Sequence, residues 1–245
     1  MKTIIIGYGN IGQHLYNELN VLMPDVYDKY KHMGFPKGRY DFAFVCVDTP
    51  RTESDKCDVT EVINAVNATE AGIYIVKSTV LPKKTDEIKQ ATGGKRIVYS
   101  PEFYGVTQHA RNFEHAYTIL GGAREDCKEA VQFLQQVYDA RHRFYMTDAK
   151  TAMLSKYMVN TYLAFKVSFC NQFALIADKA GVDYEEMREL FIADPRINES
   201  HTFVYRDKPY WDSHCFNKDV PAIAEEYSAG FIGAMVAFNN HCKDG

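Results

Sequence analysis

The chain has 245 residues, 46% hydrophobic and 24% charged, with a formal net charge of −4. Those are ordinary values for a globular protein of one large or two modest domains. The mild negative balance and the lack of a basic run argue against nucleic acid or an anionic membrane as the main partner, and no apolar stretch is long enough to span a bilayer.

The N-terminus, MKTIIIGYG, leads directly into a motif rather than into a signal-peptide cleavage site, which predicts a cytoplasmic protein. Residues 3 to 6 form a β-branched run that ends in Gly7-Tyr8-Gly9-Asn10-Ile11-Gly12, and helix-forming residues follow. In a dinucleotide fold the first glycine permits the tight turn, the second lets a pyrophosphate approach the backbone, and the third lets helix and strand pack closely. A second strand, DVYD, ends in Asp28 about twenty residues on, where a carboxylate would accept hydrogen bonds from an adenosine ribose and favour NAD over NADP. Strands and helices then alternate: DFAFVCV, a helix over 58 to 70, GIYIVKST, a helix over 83 to 91, RIVYS, YTILGG, a helix over 124 to 138, and RFYM. The pattern predicts a Rossmann-like, doubly wound parallel sheet over 1–146, with little helix in the short link between its second and third strands. Ligands in such sheets lie beyond the carboxyl ends of the strands, here Val47-Asp48-Thr49-Pro50, Lys77-Ser78-Thr79-Val80 and Ser100-Pro101-Glu102-Phe103.

Residues 147–245 predict an all-helical second domain. One long helix runs from Lys150 to Gly181, with Thr147 and Asp148 as N-cap candidates and Gly181 as a left-handed C-terminal residue. Leu154, Met158, Leu163, Val167, Phe173 and Ile176 place apolar residues on every side of it, so burial all round is expected, with a second copy of the chain supplying part of the cover. Lys156 and Asn160 lie four apart and so project from one face. A short acidic helix follows, then an irregular aromatic segment that holds Cys215 with His214, Lys218 and Asp219 beside it, then one or two closing helices interrupted near Gly230 and Gly233. A thiol near cations can serve as a nucleophile. The six cysteines lack C-x-x-C or His-rich spacing, so no zinc site and no disulfide framework is expected.

Taken together these motifs resemble the nucleotide-sugar 6-dehydrogenases typified by UDP-glucose 6-dehydrogenase, in that family's order and over nearly the whole chain. GYGNIG is similar to its glycine fingerprint, CVDTP to its V-x-T-P, KSTVLP to its S-T-V-x-P, SPEF to its N-P-E-F, DPRI to its D-x-R-I and HCFNKD to its cysteine segment. The resemblance implies NAD held by Gly7, Gly9, Asn10, Ile11, Gly12, Asp28, Thr49 and Thr79. It implies a UDP-sugar held by Phe103, Lys156, Asn160 and Cys215, with Arg196 reaching the neighbour's substrate in a homodimer. It implies two oxidations of a primary alcohol through a thioester on Cys215, with Lys156 and Asn160 stabilising oxyanions and Asp219, Glu102 and Thr79 positioning or activating water.

Several positions depart from the family pattern. Tyr104-Gly105-Val106 stands where a second glutamate often follows, Met153 where a glutamate often precedes the lysine, and Asp212-Ser213, after Trp211, where paired glycines precede the cysteine. Family members also continue into a third domain that completes the nucleotide site, whereas this sequence ends at Gly245. Two rival readings use the same motifs: a two-electron β-hydroxyacid dehydrogenase, which needs no cysteine, and a catalytically silent scaffold.

Overall fold

The computed structural model describes residues 1–52, 57–104 and 116–244. The departure at Gly105 and Val106 lies outside them. Two compact units are present, one of Met1–Thr52 with Cys57–Lys156, the other built on Tyr157–Gly245. No helix among the described residues is long and apolar enough to cross a membrane.

The first unit is a seven-stranded sheet: β1 (Thr3–Ile6), β2 (Asp25–Tyr27), β3 (Arg39–Val45), β4 (Glu70–Val76), β5 (Ile97–Tyr99), β6 (Tyr117–Gly121) and β7 (Arg143–Thr147), in the spatial order β2-β1-β3-β4-β5-β6-β7. Around it lie α1 (Asn10–Glu18), α2 (Thr60–Asn67), α3 (Lys84–Ala91) and α4 (Arg124–Leu134). β1 is buried at every residue and pairs in parallel with β2 on one side and β3 on the other, with Ile5 opposite Val26 and Phe44. The strand order therefore reverses at β1 and β3, the switch point where such sheets leave a crevice beyond their carboxyl ends. Residues 28 to 38 contain no helix, as the short link predicts.

One expectation is corrected. β5 and β6 pair antiparallel through Tyr99 and Gly121, while β6 and β7 pair in parallel, so the sheet is mixed rather than wholly parallel. Apolar runs reveal that a strand exists but not which way it points, and that is why the sequence pattern missed the reversal. On one side of the sheet, Ile5, Leu15, Leu19, Phe42, Phe44, Ile75, Val98 and Phe133 form the core, with the Phe42 and Phe133 rings stacked at 4.2 Å.

α5 (Ala149–Ala180) opens in the first unit, whose last residue is Lys156. Asp148 caps it by accepting from the Thr151 N–H at 3.0 Å, and Gly181 ends it at φ +69°, both as expected. In the single chain Leu154, Met158, Tyr162, Phe173 and Ile176 are exposed, Met158 by 75%, so the chain by itself covers only part of α5. The buried side of α5 carries Ala152, Ala164, Ser168, Ala174 and Ala177, along with Met153 and Tyr157.

In the second unit α5 is followed by α6 (Tyr184–Ile192), α7 (His214–Glu226) and α8 (Gly230–Asp244). The break between the last two falls at Tyr227–Ala229, with Ser228 at φ +49°; Gly233 lies inside α8 and interrupts nothing. Trp211 fixes the irregular segment before α7. Its indole N–H donates to Ser168 Oγ at 3.0 Å, its backbone N–H to Asn239 Oδ1 at 2.8 Å, and its carbonyl accepts from Asn239 Nδ2 at 3.1 Å.

The glycine turn after β1 shows two different demands. A Cβ on Gly12 would lie 2.0 Å from the Gly7 carbonyl oxygen, so strand and helix touch there, whereas a Cβ on Gly9 would meet nothing within 4 Å. Gly12→Ala should lower the unfolding free energy by about 2–3 kcal/mol. Gly9→Ala, at a backbone conformation of φ −75° and ψ −160° open to any residue, should stay within about 0.5 kcal/mol of the parent. Urea denaturation of both variants checks this.

Candidate active site

At the switch point, Gly9 is the N-cap of α1, and no side chain caps its first turn. Its N-terminal N–H groups and dipole therefore face an anion-sized space that Gly9 leaves open, which fits a dinucleotide pyrophosphate. Gly7, at φ +91°, makes the turn, and a Cβ there would strike the Cys46 carbonyl at 2.6 Å. Asn10 and Ile11 form the first turn of the helix.

Asp28 is buried and joined to that turn. Oδ2 accepts from the Tyr8 N–H at 2.7 Å, and Oδ1 accepts from Tyr30 and Lys31 N–H at 2.9 Å each. Burial pushes its carboxyl up, but the backbone donors of Tyr8, Lys31 and Tyr30 more than offset this and hold it below the ordinary value. It is thus an anion beside the glycine turn, the setting expected for a ribose partner. Thr49 is buried and donates from Oγ1 to the Thr79 carbonyl at 2.7 Å, while Ser78 Oγ donates to the Val47 carbonyl at 2.6 Å. These bonds lace together the ends of β3 and β4 and place the half-buried Thr79 at the sheet's carboxyl edge.

At the end of β5, Glu102 makes a buried ion pair with Lys77, which also donates to Ser100 Oγ at 3.1 Å. Phe103 lies beside Tyr117 with ring centres 5.5 Å apart, and the Lys156 ammonium sits 4.9 Å from the centre of the Phe103 ring. Lys156 is only 6% exposed, so it does not snorkel to solvent. The structure therefore brings Glu102, Phe103 and Lys156 together. Met153 is fully buried.

In the second unit the buried Asn160 donates to Asp219 Oδ2 at 2.6 Å, and Lys218 Nζ is 3.1 Å from Asp219 Oδ1. Cys215 is corrected from an irregular segment to the first turn of α7, four residues before Asp219. Ser213 is the N-cap of that helix, accepting from the Phe216 N–H at 3.1 Å, a local signal that the departure from paired glycines had obscured. Cys215 is an exposed thiol on the first turn of this helix. Other cysteines have the opposite surroundings: burial pushes Cys127 up to about 11, and raises Cys46 and Cys170 as well. Arg196 is exposed and doubly bonded to Asp194, with contacts of 2.9 and 2.6 Å.

Two contributors escaped the sequence reading. Lys77 was quoted within its motif but given no role, although a cation closing the apolar run GIYIV is itself a signal of a buried partner. Glu18, which accepts from the phenols of Tyr104 and Tyr138, left no local signal at all.

Comparison with known proteins finds relatives of both halves of the chain. Residues 35–141 match the NAD binding domain of the UDP-glucose/GDP-mannose dehydrogenase family, and residues 150–241 match its central domain. A UDP-N-acetyl-D-mannosamine dehydrogenase of Methanocaldococcus jannaschii is 29% identical over 197 residues, which are 76% of this chain and 45% of that protein. A UDP-glucose 6-dehydrogenase of Rickettsia felis is 28% identical over 193 residues, 74% of this chain and 42% of that protein. The chain thus spans about half the length of these relatives. Among solved structures, a UDP-glucose dehydrogenase from the hyperthermophilic archaeon Pyrobaculum islandicum superposes with a TM-score of 0.78 at 22% identity, over 98% of this chain and 68% of that one. With both domain models matched in order, and with a glycine turn open to a dinucleotide, the chain belongs to the UDP-glucose/GDP-mannose dehydrogenase family and its first unit is an NAD-binding domain.

Proposed function

We propose that this protein oxidises the primary alcohol of a nucleotide sugar, a UDP-sugar by preference, to the carboxylate with two NAD. The observation that carries the reading is Cys215 on the first turn of α7, one turn before a buried Asp219 held by Asn160 and Lys218. A dehydrogenase that stopped at the aldehyde or ketone would have no use for such a thiol.

NAD, when bound, supplies the hydride acceptor for each of the two oxidations. Gly7, Gly9, Asn10, Ile11 and Gly12 would cradle its pyrophosphate, with Asp28 at the ribose and Thr49 and Thr79 at the strand ends. Lys156 and Asn160 stabilise the alkoxide as the alcohol gives up its proton and hydride to become an aldehyde. Cys215 sulfur then bonds to the aldehyde carbon, and the resulting oxyanion meets the same ammonium and amide. Loss of a second hydride from that carbon leaves a thioester. Water attacks the thioester, the carbon–sulfur bond breaks, and carboxylate and thiol are released. Asp219, Glu102 and Thr79 position this water or take its proton. Phe103 would pack against the substrate.

The exposed strip Met158, Tyr162, Phe169, Phe173 and Ile176 runs along one side of α5 at spacings of four, seven, four and three, and the Phe169 and Phe173 rings lie 4.7 Å apart. A helix with such a strip of large apolar residues on its exposed side is built to be covered by a second copy. In this reading the protein is a homodimer along α5, and Arg196 serves the partner's substrate. Met158→Glu should shift the chain from dimer to monomer in light scattering at micromolar concentration; a parent that is itself monomeric there would refute the pairing.

The chemistry is tested by counting NADH. Wild type should yield two NADH per nucleotide sugar, and Cys215→Ser should release no acid. Lys156→Ala should slow turnover by about a hundred- to a thousandfold, the scale of losing an oxyanion donor. Gly9→Ala should weaken NAD binding by about tenfold or more in calorimetry, worth about 1.4 kcal/mol, despite its normal stability. One NADH per substrate with undiminished turnover in Cys215→Ser would overturn the mechanism.

A further inference from the structure

Residues 101 to 104, which carry Glu102 and Phe103, form no helix or strand, so side chains must locate them. Lys77 holds Glu102 from one side. On the other side the Tyr104 hydroxyl donates to Glu18 Oε1 at 2.6 Å, the Tyr138 hydroxyl donates to Glu18 Oε2 at 2.7 Å, and the His14 ring lies 3.8 Å from the Tyr104 ring. A single carboxylate thus takes a charge-assisted bond on each oxygen, one from the 101 to 104 segment and one from the chain just after α4. Burial, then the carboxylates of Glu102 and Glu18, push the Tyr104 phenol far above its ordinary value, so it is a donor at any working pH. Both anchors line the same small cavity of about 20 Å³, shared by Glu18, Lys77, Glu102, Tyr104, Tyr138 and His142.

Glu18 is also the last residue of α1, whose first residue follows the glycine turn. A nine-residue helix is a strut of about 13 Å at 1.5 Å per residue, stiff over that length. One end of it faces the cofactor space and the other grips Tyr104.

We infer that Glu18 is a positioning residue: through Tyr104 it fixes Glu102 and Phe103 at a set distance from the dinucleotide turn. This rests on the dehydrogenase reading for its effect on turnover, but the anchor itself is independent of it. Tyr138 shares the carboxylate without belonging to the segment, which makes it the natural control.

Two measurements test the inference on the full chain. Deuterium uptake by the peptide spanning 99 to 104 should quicken in Glu18→Ala and in Tyr104→Phe and stay as in wild type in Tyr138→Phe. Turnover with NAD and the best nucleotide sugar should fall by about ten- to a hundredfold in the first two, the range expected when reacting groups are displaced by about an ångström. NAD affinity should be unchanged in both. The double variant should be no slower than the worse single one, since both break one link. Glu18→Gln, which keeps an acceptor for Tyr104, should recover most of the rate, and Tyr138→Phe should lower the melting temperature without slowing turnover. Unchanged uptake in Glu18→Ala and Tyr104→Phe would overturn the anchor, and so would an equal rate loss in Tyr138→Phe. Faster uptake with full turnover would overturn the positioning role. A wild type silent on every nucleotide sugar would instead overturn the dehydrogenase reading, while the exchange data still judged the anchor.

Discussion

A sheet covered on both faces has no place for polar side chains except past the ends of its strands. β1, β3, β4 and β5 are apolar or tightly buried through their last residues, and their polar groups gather where they stop: Gly7 and Asp28 at one side, then Thr49, Lys77 with Ser78 and Thr79, and Ser100 with Glu102. The same desolvation penalty that clears the sheet concentrates hydrogen-bonding groups in one crevice. Each must then be satisfied, which explains the lacing of Thr49 to Thr79, Ser78 to Val47 and Lys77 to Ser100 and Glu102. The crevice is polar because the sheet cannot be.

The second unit answers to a similar penalty with fewer groups. Asp219 is 1% exposed, and a carboxylate so placed is costly without partners. Asn160 supplies an amide and Lys218 an ammonium, one to each oxygen. Removing either would take away the partner of one buried carboxylate oxygen. α5 contributes Asn160 to this trio from a buried side that mixes small residues such as Ala164 with Met153 and Tyr157, while Met158, Tyr162 and Ile176 lie on its exposed face.

Much of the fold was legible because its signals are local. Alternating apolar runs located all seven strands, Asp148 and Gly181 marked the ends of α5, and the glycine turn announced itself by spacing. The direction of β6 was not legible, since hydrophobic pattern carries no polarity. Nor was the exposed face of α5, because sequence reports how apolar a helix is and not how many neighbours one chain can offer it. At the candidate site, motifs pointed to Glu102, Phe103 and Lys156, which lie together, while Cys215 was expected in an irregular segment because the N-cap Ser213 stands where a glycine was the expected residue. Glu18 and Tyr104 lie 86 residues apart, and no local pattern predicts such a bond.

The replacement of paired glycines by Asp212 and Ser213 leads to a firmer view of Cys215. Glycines would leave the approach to α7 conformationally loose. Here Ser213 caps the helix, while Asp212 accepts from Asn217 at 2.7 Å and pairs with Lys243 and Lys208 at 3.2 and 3.3 Å. Those partners, Asn217 foremost, then Lys243 and Lys208, hold its carboxyl down at about 2, so the ties are intact at neutral pH. Trp211 is locked in turn by Asn239 and Ser168. The three residues before His214 are therefore held between them by α7 itself, α8 and α5. In the dehydrogenase reading proposed above, Cys215 must meet the substrate carbon within a few tenths of an ångström of the productive distance. Side chains that fix the start of α7 from three directions achieve that placement where a glycine pair would have to rely on bound substrate to do so.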